Sequence, residues 1–339
     1  MAGGPSTPEL AAAVNRAGGL GFLAAGYLTP ERLGQDLDSL SRLSDAPFGV
    51  NVFAPAGGPA DPDTVAAFAR RLEPLADAAG VALGEPRFDD DALEAKLALL
   101  TERPPAVVSF TFGLPPAEAL RALRHAGAEI WLTVTSPQEA RRAEEVEPDA
   151  LIVQGIEAGG HRGVFADDEG QSDLTLLAAL ALVGAATDLP LVGAGAIATG
   201  TALAAVLAGG AAAGQVGTAY LRSDEAGTSR AQREATASPT PTVLTRAFSG
   251  RTARGIANRW HADHAARAPR AYPEVHHLTS PLRAHGRAAG DPDLINLWAG
   301  QTHALAPAGS AEEITRRLAA DAAAALDRAG ARVHPAHEP

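Results

Sequence analysis

From residue 20 to about residue 221, short apolar runs alternate with longer stretches in which apolar residues recur every three or four positions. The runs LGFLAA (20–25), FGVNVF (48–53), AVVSFTF (106–112), EIWLTV (129–134), ALIVQG (150–155), LPLVGAG (189–195) and GQVGTAYL (214–221) predict seven strands. Between them, TPERLGQDLDSLSRL, PAEALRALRHAG, SPQEARRAEEV, SDLTLLAALALVGAA and TGTALAAVLAGG predict helices, opened by Ser, Thr or Pro and mostly closed near glycine. Strand and helix in strict alternation specify a parallel sheet with right-handed crossovers. The fold class is therefore α/β, as a (β/α)8 barrel or an open doubly wound sheet.

The first helix, STPELAAAVNRAGG, carries a Ser6–Glu9 capping box and a glycine stop at Gly18 and Gly19. In a complete barrel a strand would stand ahead of that helix. The expectation is a barrel lacking its first strand over residues 1–221, with a mostly helical segment, 222–339, packed on the substrate side. That segment ends in the amphipathic AEEITRRLAADAAAALDRAG.

Four strand ends carry ligand-type residues: Asn51, the loop QGIEAGGHRG from Gln154 to Gly163, the GAGA turn, and Gln215 to Thr218. In parallel α/β folds the C-terminal strand ends share one face, so these groups can converge. Glycines in the last two elements let backbone N–H groups approach a phosphate, although small residues also ease strand-to-helix packing. His161 can serve as a general base or as a hydrogen-bond donor to an anion, or stand in a surface loop. Glu157 is assigned either to orienting that imidazole or a nearby backbone group, or to an ion pair with Arg162.

Composition narrows the classes. With 339 residues, 46% of them hydrophobic, the chain can bury a large core. A net charge of −12 makes nucleic acid a poor partner, and the absence of cysteine removes thiolate and disulfide chemistry. The pairs His261/His264 and His276/His277 lack accompanying carboxylates, so no metal is expected. The longest apolar run, LTLLAALALVGAA, is shorter than the about 20 residues of a membrane span, and no signal peptide is legible. A cytoplasmic protein is expected, and a homo-oligomer is left open.

The motifs MAGGPSTPELAAAVNRAGGLGFL, PFGVNVF, DALIVQGIEAGGHRG, LPLVGAGAIATG and GQVGTAYL, in this order, resemble the FMN-dependent nitronate monooxygenases, also called 2-nitropropane dioxygenases. The later FSGRTARGIANRW and HHLTSPLRAHGRAAGDPDLINLWAGQ extend the likeness over nearly the whole chain. The resemblance implies FMN at the C-terminal face of a (β/α)8 barrel and oxidation of alkyl nitronates by O2. Met1 and Ala2 would lie against the isoalloxazine edge, Asn51 and Gln154 would hydrogen-bond it, and Gly159 would pass close to it. Gly195 and Ala196, with Gln215, Val216, Gly217 and Thr218, would hold the phosphate. His161 matches the active-site histidine. Two departures stand out: the family's opening strand, typically PIIQAPM, does not precede this methionine, and Ala196 stands where glycine is common. The alternatives are an NAD(P)H-dependent flavin enoyl reductase on the same scaffold, or a truncated non-catalytic relative.

Overall fold

The computed structural model describes residues 1–54, 57–168 and 172–333. Seven strands form one curled parallel sheet: β1 (Gly21–Ala24), β2 (Phe48–Phe53), β3 (Val107–Thr111), β4 (Glu129–Val134), β5 (Ala150–Gln154), β7 (Leu191–Ala194) and β8 (Ala213–Gln215). β6 (Gly160–His161), β9 (Thr242–Thr245) and β10 (Ala253–Ile256) form a second, antiparallel sheet. The order in the first sheet is β1-β2-β3-β4-β5-β7-β8, and the described residues include no pairing between β1 and β8. The fold is thus a TIM-barrel-like (β/α) array of seven strands, as the apolar pattern predicts.

The local chemistry of the helices explains the regularity. Thr7, Thr29, Asp61 and Ser136 each stand immediately ahead of a proline, and each side chain accepts a hydrogen bond from a backbone N–H of the first turn. Such a cap satisfies an orphan donor, while the proline fixes φ where no N–H partner is needed. In the first helix, Pro8–Arg16, the cap is therefore Thr7 and not Ser6; Ser6 Oγ instead accepts from the Met1 amino group at 2.6 Å. The apolar faces of the helices meet the sheet around Leu23, Val50, Val108, Phe110, Ile130, Leu132, Leu151 and Val153, all nearly without exposed surface.

Two features were not legible as elements in the sequence. Residues 222–270, irregular and polar in sequence, contain β9 and β10, and β10 pairs with β6 so that Ala253 lies opposite His161. Helix Pro62–Ala79 and helix Glu274–Ala289 also form, sharing a core of Val65, Phe68, Leu72, Phe248, Trp260 and Leu278. The result is a wall of C-terminal residues fastened to the barrel through the strand that carries His161.

Candidate active site

The chain leaves β5 at Gln154 and turns through a glycine-rich loop into β6. Gln154 Nε2 donates to the His161 carbonyl at 3.0 Å, while its Oε1 accepts from Gly163 N at 2.8 Å and from Arg162 Nη1 at 2.9 Å. Arg162, 1% exposed, also donates to the carbonyls of Gly155 and Ser172. The glutamine amide therefore ties the loop to itself. Of the roles expected of it, Glu157 takes the backbone one: both of its oxygens accept from Leu176 N, at 2.9 and 3.1 Å, capping helix Leu176–Gly184. Gly159 is a close-approach glycine, because a Cβ there would stand 2.5 Å from the Ala299 carbonyl carbon and from Gly300 N.

This loop delivers His161 into a ring of aromatic side chains. Phe112, Tyr272 and Trp298 lie with ring centroids 5.8, 5.8 and 5.5 Å from the imidazole. His161 Nε2 meets Ser249 Oγ at 2.8 Å, and the Arg251 carbonyl, 3.2 Å from the same Oγ, is the alternative acceptor of the serine proton. The serine proton sets the tautomer. Given to Nε2, it leaves Nδ1–H as a donor; given to the carbonyl, it leaves Nδ1 as an acceptor. Burial, then the Arg251 and Arg283 guanidiniums, push the His161 pKa down to about 3, against the opposing pull of Asp167. The ring is neutral at physiological pH.

The wall facing it is positively charged. Arg251 and Arg283 are 5% and 6% exposed. Arg251 sits 4.1 Å over the Phe112 ring and donates to the Val164 carbonyl. Arg283 donates to Thr279 Oγ1 at 3.0 Å, to the His276 carbonyl at 2.8 Å and to His276 Nδ1 at 3.2 Å. Neither guanidinium is hydrogen-bonded to a carboxylate among the described residues. Because arginine only donates, His276 Nδ1 must be the acceptor and Nε2 the protonated nitrogen. The His276 ring is stacked on Tyr27 at 4.0 Å and 4°, and the Tyr272 hydroxyl approaches that of Tyr27 at 3.5 Å. Burial raises both phenols, Tyr27 to about 12, so each stays protonated.

Two neutral, buried imidazoles make stability sensitive to acid. His276 is also held well below the ordinary histidine value, first by burial and then by Arg283. An unfolded chain binds protons on these rings below about pH 6.5, and the folded one does not until about pH 3 for His161. Stability is therefore full above that upper limit and falls on acidification through the window, by up to about 1.4 kcal/mol per pH unit for each ring. Urea midpoints compared at neutral and mildly acidic pH check this; a flat profile would remove the neutral-ring assignment.

At the far end of the sheet, Ala194 pairs with Gln215 and the two strand ends lie side by side. The backbone N–H groups of Gly195, Ala196, Val216, Gly217 and Thr218 find no acceptor among the described residues. Such a set of free donors is an anion cradle. Thr218 Oγ1 accepts from Gly300 N at 3.0 Å, and Thr302 Oγ1 donates to the Ala196 carbonyl at 2.7 Å, fixing the cradle to the C-terminal segment. Gly195 and Ala196 have φ of 143° and 50°. The second is left-handed and carries a methyl group, so Ala196→Gly is expected to stabilise the fold by about 1 kcal/mol, read as a higher Tm.

Met1 packs beside this cradle: a Cβ on Gly217 would stand 3.5 Å from Met1 Cγ. Burial lowers the Met1 amino pKa to about 6. Ala2 is half-buried next to it. At the β2 end, Asn51 Nδ2 donates to Ser109 Oγ at 2.9 Å and Thr111 Oγ1 at 3.0 Å, anchored to β3. Thus Asn51, Gln154, His161, Gly195 and Thr218 share the C-terminal face of the sheet, while Tyr27, Ser249, Arg251, Tyr272, His276 and Arg283 complete it. The last six were not assigned to the site from the sequence, although Ser249, Arg251, His276 and Arg283 lie within the family-like stretches FSGRTARG and HHLTSPLRAHG. His277 pairs with Asp89 at 2.7 Å and His264 packs on Trp260 at 5.6 Å.

A parallel barrel array with an anion cradle at its last two strand ends and a neutral imidazole among buried cations defines a cofactor-using barrel enzyme. The family model described as nitronate monooxygenase matches residues 1–321. A nitronate monooxygenase of Pseudomonas aeruginosa is 40% identical over 330 residues, covering 93% of this chain and 92% of that protein. The crystal structure of a nitroalkane oxidase from Streptomyces ansochromogenes superposes with a TM-score of 0.94 at 46% identity, covering 97% and 95% of the two chains. FabK from Thermotoga maritima shares the fold, with a TM-score of 0.73 at 23% identity over 98% and 93%. The chain belongs to the nitronate monooxygenase family, and so to the oxidoreductases.

Proposed function

We propose that the protein oxidises alkyl nitronates, such as propionate 3-nitronate, with FMN and O2, giving carbonyl compounds and nitrite or nitrate. The observation that carries this reading is the pair of buried guanidiniums, Arg251 and Arg283, beside a neutral imidazole. A nitronate is an anion, and preorganised cations in a water-poor site attract it far more strongly than they would in water. Two cations favour a nitronate that also carries a carboxylate. The chain's overall charge of −12 opposes anions at long range, so their recognition is local.

FMN fits the residues present. Free N–H groups at Gly195, Ala196, Val216, Gly217 and Thr218 suit its phosphate, with Gln215 at the same strand end, and Asn51, Met1, Ala2 and the Gln154–Gly159 loop border the same face. When bound, FMN supplies the electron-accepting chemistry that no side chain here provides.

The protein's own part is orientation and charge. His161, with Ser249 donating to Nε2, presents Nδ1–H to the anion; Arg251 and Arg283 hold its negative charge; Phe112 and Trp298 exclude water. A ring whose pKa lies near 3 has little driving force to remove a proton from a neutral nitroalkane, so the preformed nitronate is the preferred form. The test is O2 uptake and nitrite formation with propionate 3-nitronate against NADH or NADPH. Turnover of the nitronate alone supports the reading. Rapid oxidation of a pyridine nucleotide without nitronate turnover would favour the enoyl reductase alternative.

A further inference from the structure

Building on the nitronate reading, we infer that Asp91, paired with the buried Lys96 outside the ring of site residues, is a positioning residue that sets substrate affinity through Tyr27. Tyr27 stands at the C-terminal end of β1, one residue beyond Gly26, whose Cα lies so close to Phe53 that a Cβ would be 2.3 Å from that ring. Its φ is 68°, a left-handed value that a tyrosine rarely adopts. Left-handed backbone costs about 1–2 kcal/mol for a non-glycine residue and persists only where its surroundings impose it.

The surroundings that impose it lie in the segment before helix Leu93–Glu102. Tyr27 N donates to Asp91 Oδ1 at 2.9 Å. The other Asp91 oxygen is 2.7 Å from Lys96 Nζ, and Lys96 has no exposed surface. Asp91 and Ala92 are themselves left-handed, at 62° and 53°. The same segment is fixed to the helix bearing the substrate wall, because Asp91 N donates to Asp89 Oδ1 and Asp89 Oδ2 meets His277 Nε2 at 2.7 Å.

The consequence is at the site. With its N–H held, the Tyr27 ring lies flat on His276, edge-on to Phe53, and its hydroxyl faces Tyr272. His276 in turn receives the Arg283 guanidinium on Nδ1. Asp91 thus controls the seat of one of the two cations that hold the substrate, while His161 is held by its own loop and Ser249 and meets Tyr27 only through Tyr272 and Phe112. The expected signature is a change in KM with little change in kcat.

The experiment uses the full-length holoenzyme with propionate 3-nitronate. Asp91→Ala with Lys96→Met removes both charges together, so no lone charge is left buried. Its KM is expected to rise about tenfold with kcat within about threefold, the loss of one hydrogen bond of about 1.4 kcal/mol. Asp91→Asn with Lys96→Met keeps an acceptor for the Tyr27 N–H and should restore KM to within about twofold of the parent. Adding Tyr27→Ala to the alanine pair should raise KM no further than Tyr27→Ala alone, since the two act through one element. An unchanged KM in the alanine pair, or an effect that multiplies with that of Tyr27→Ala, would overturn the positioning role. If the alanine pair does not fold, Tyr27→Ala decides: a raised KM supports the positioning role and a parental KM ends it. A parent enzyme that does not turn over the nitronate would instead count against the functional reading.

Discussion

His161→Asn should leave FMN bound and lower kcat/KM for propionate 3-nitronate about 10²-fold, with a comparable loss for the neutral nitroalkane. The size is that of removing one preorganised donor from developing or resident negative charge, about 10²–10³ in rate. Cofactor retention follows because the anion cradle belongs to the ends of β7 and β8, whereas the His161 side chain engages Ser249 on the opposite wall. Equality of the two losses is the informative part. Burial and two guanidiniums hold the ring near pKa 3, which on the proposed reading makes it a donor to the anion and not a base. A markedly greater loss on the neutral nitroalkane would restore the general-base role that the sequence alone suggests, worth about 10²–10⁴.

Arg283→Met is expected to separate stability from function. The guanidinium is buried, and burial lowers its pKa to about 10; its partners are a threonine hydroxyl, a carbonyl and an imidazole nitrogen, all neutral. Replacing a buried charge without an anionic partner by an apolar chain of similar length commonly leaves stability unchanged or raises it. On the proposed reading the same change removes a charged hydrogen-bond donor from the substrate, about 1.5–3 kcal/mol, or roughly 10- to 150-fold in KM. Thermal unfolding and steady-state kinetics on one preparation test both halves. A fall in Tm with KM unchanged would make Arg283 a structural residue only.

The sequence made the barrel legible and half of the site. Most of the parallel strands are short runs of apolar residues, because both faces of such a sheet are buried, and β2 and β4 coincide with the predicted runs, whereas β8 keeps only Gln215 and Gly214 of the run predicted over 214–221. The glycine-rich loop announced His161, since glycines beside a strand end signal close backbone approach. What the sequence hid depends on tertiary placement. Gln154 reads as a ligand-binding residue, yet its amide is engaged by its own loop, which no spacing rule encodes. Tyr27, Tyr272 and His276 reach the site from distant segments, and the left-handed backbone of Tyr27 and Phe112 has no glycine to advertise it. β6 is two residues long, too short to leave a period-two pattern, although it joins the C-terminal segment to the barrel.

The most direct test of flavin-dependent nitronate oxidation is the visible spectrum of the purified protein, mixed without oxygen first with propionate 3-nitronate and separately with NADH and NADPH. The expected result is a flavin absorbance that the nitronate diminishes, that air restores, and that neither pyridine nucleotide changes, with FMN released on denaturation. Protein that stays colourless after incubation with FMN, or that is bleached by NADPH and not by the nitronate, would contradict it.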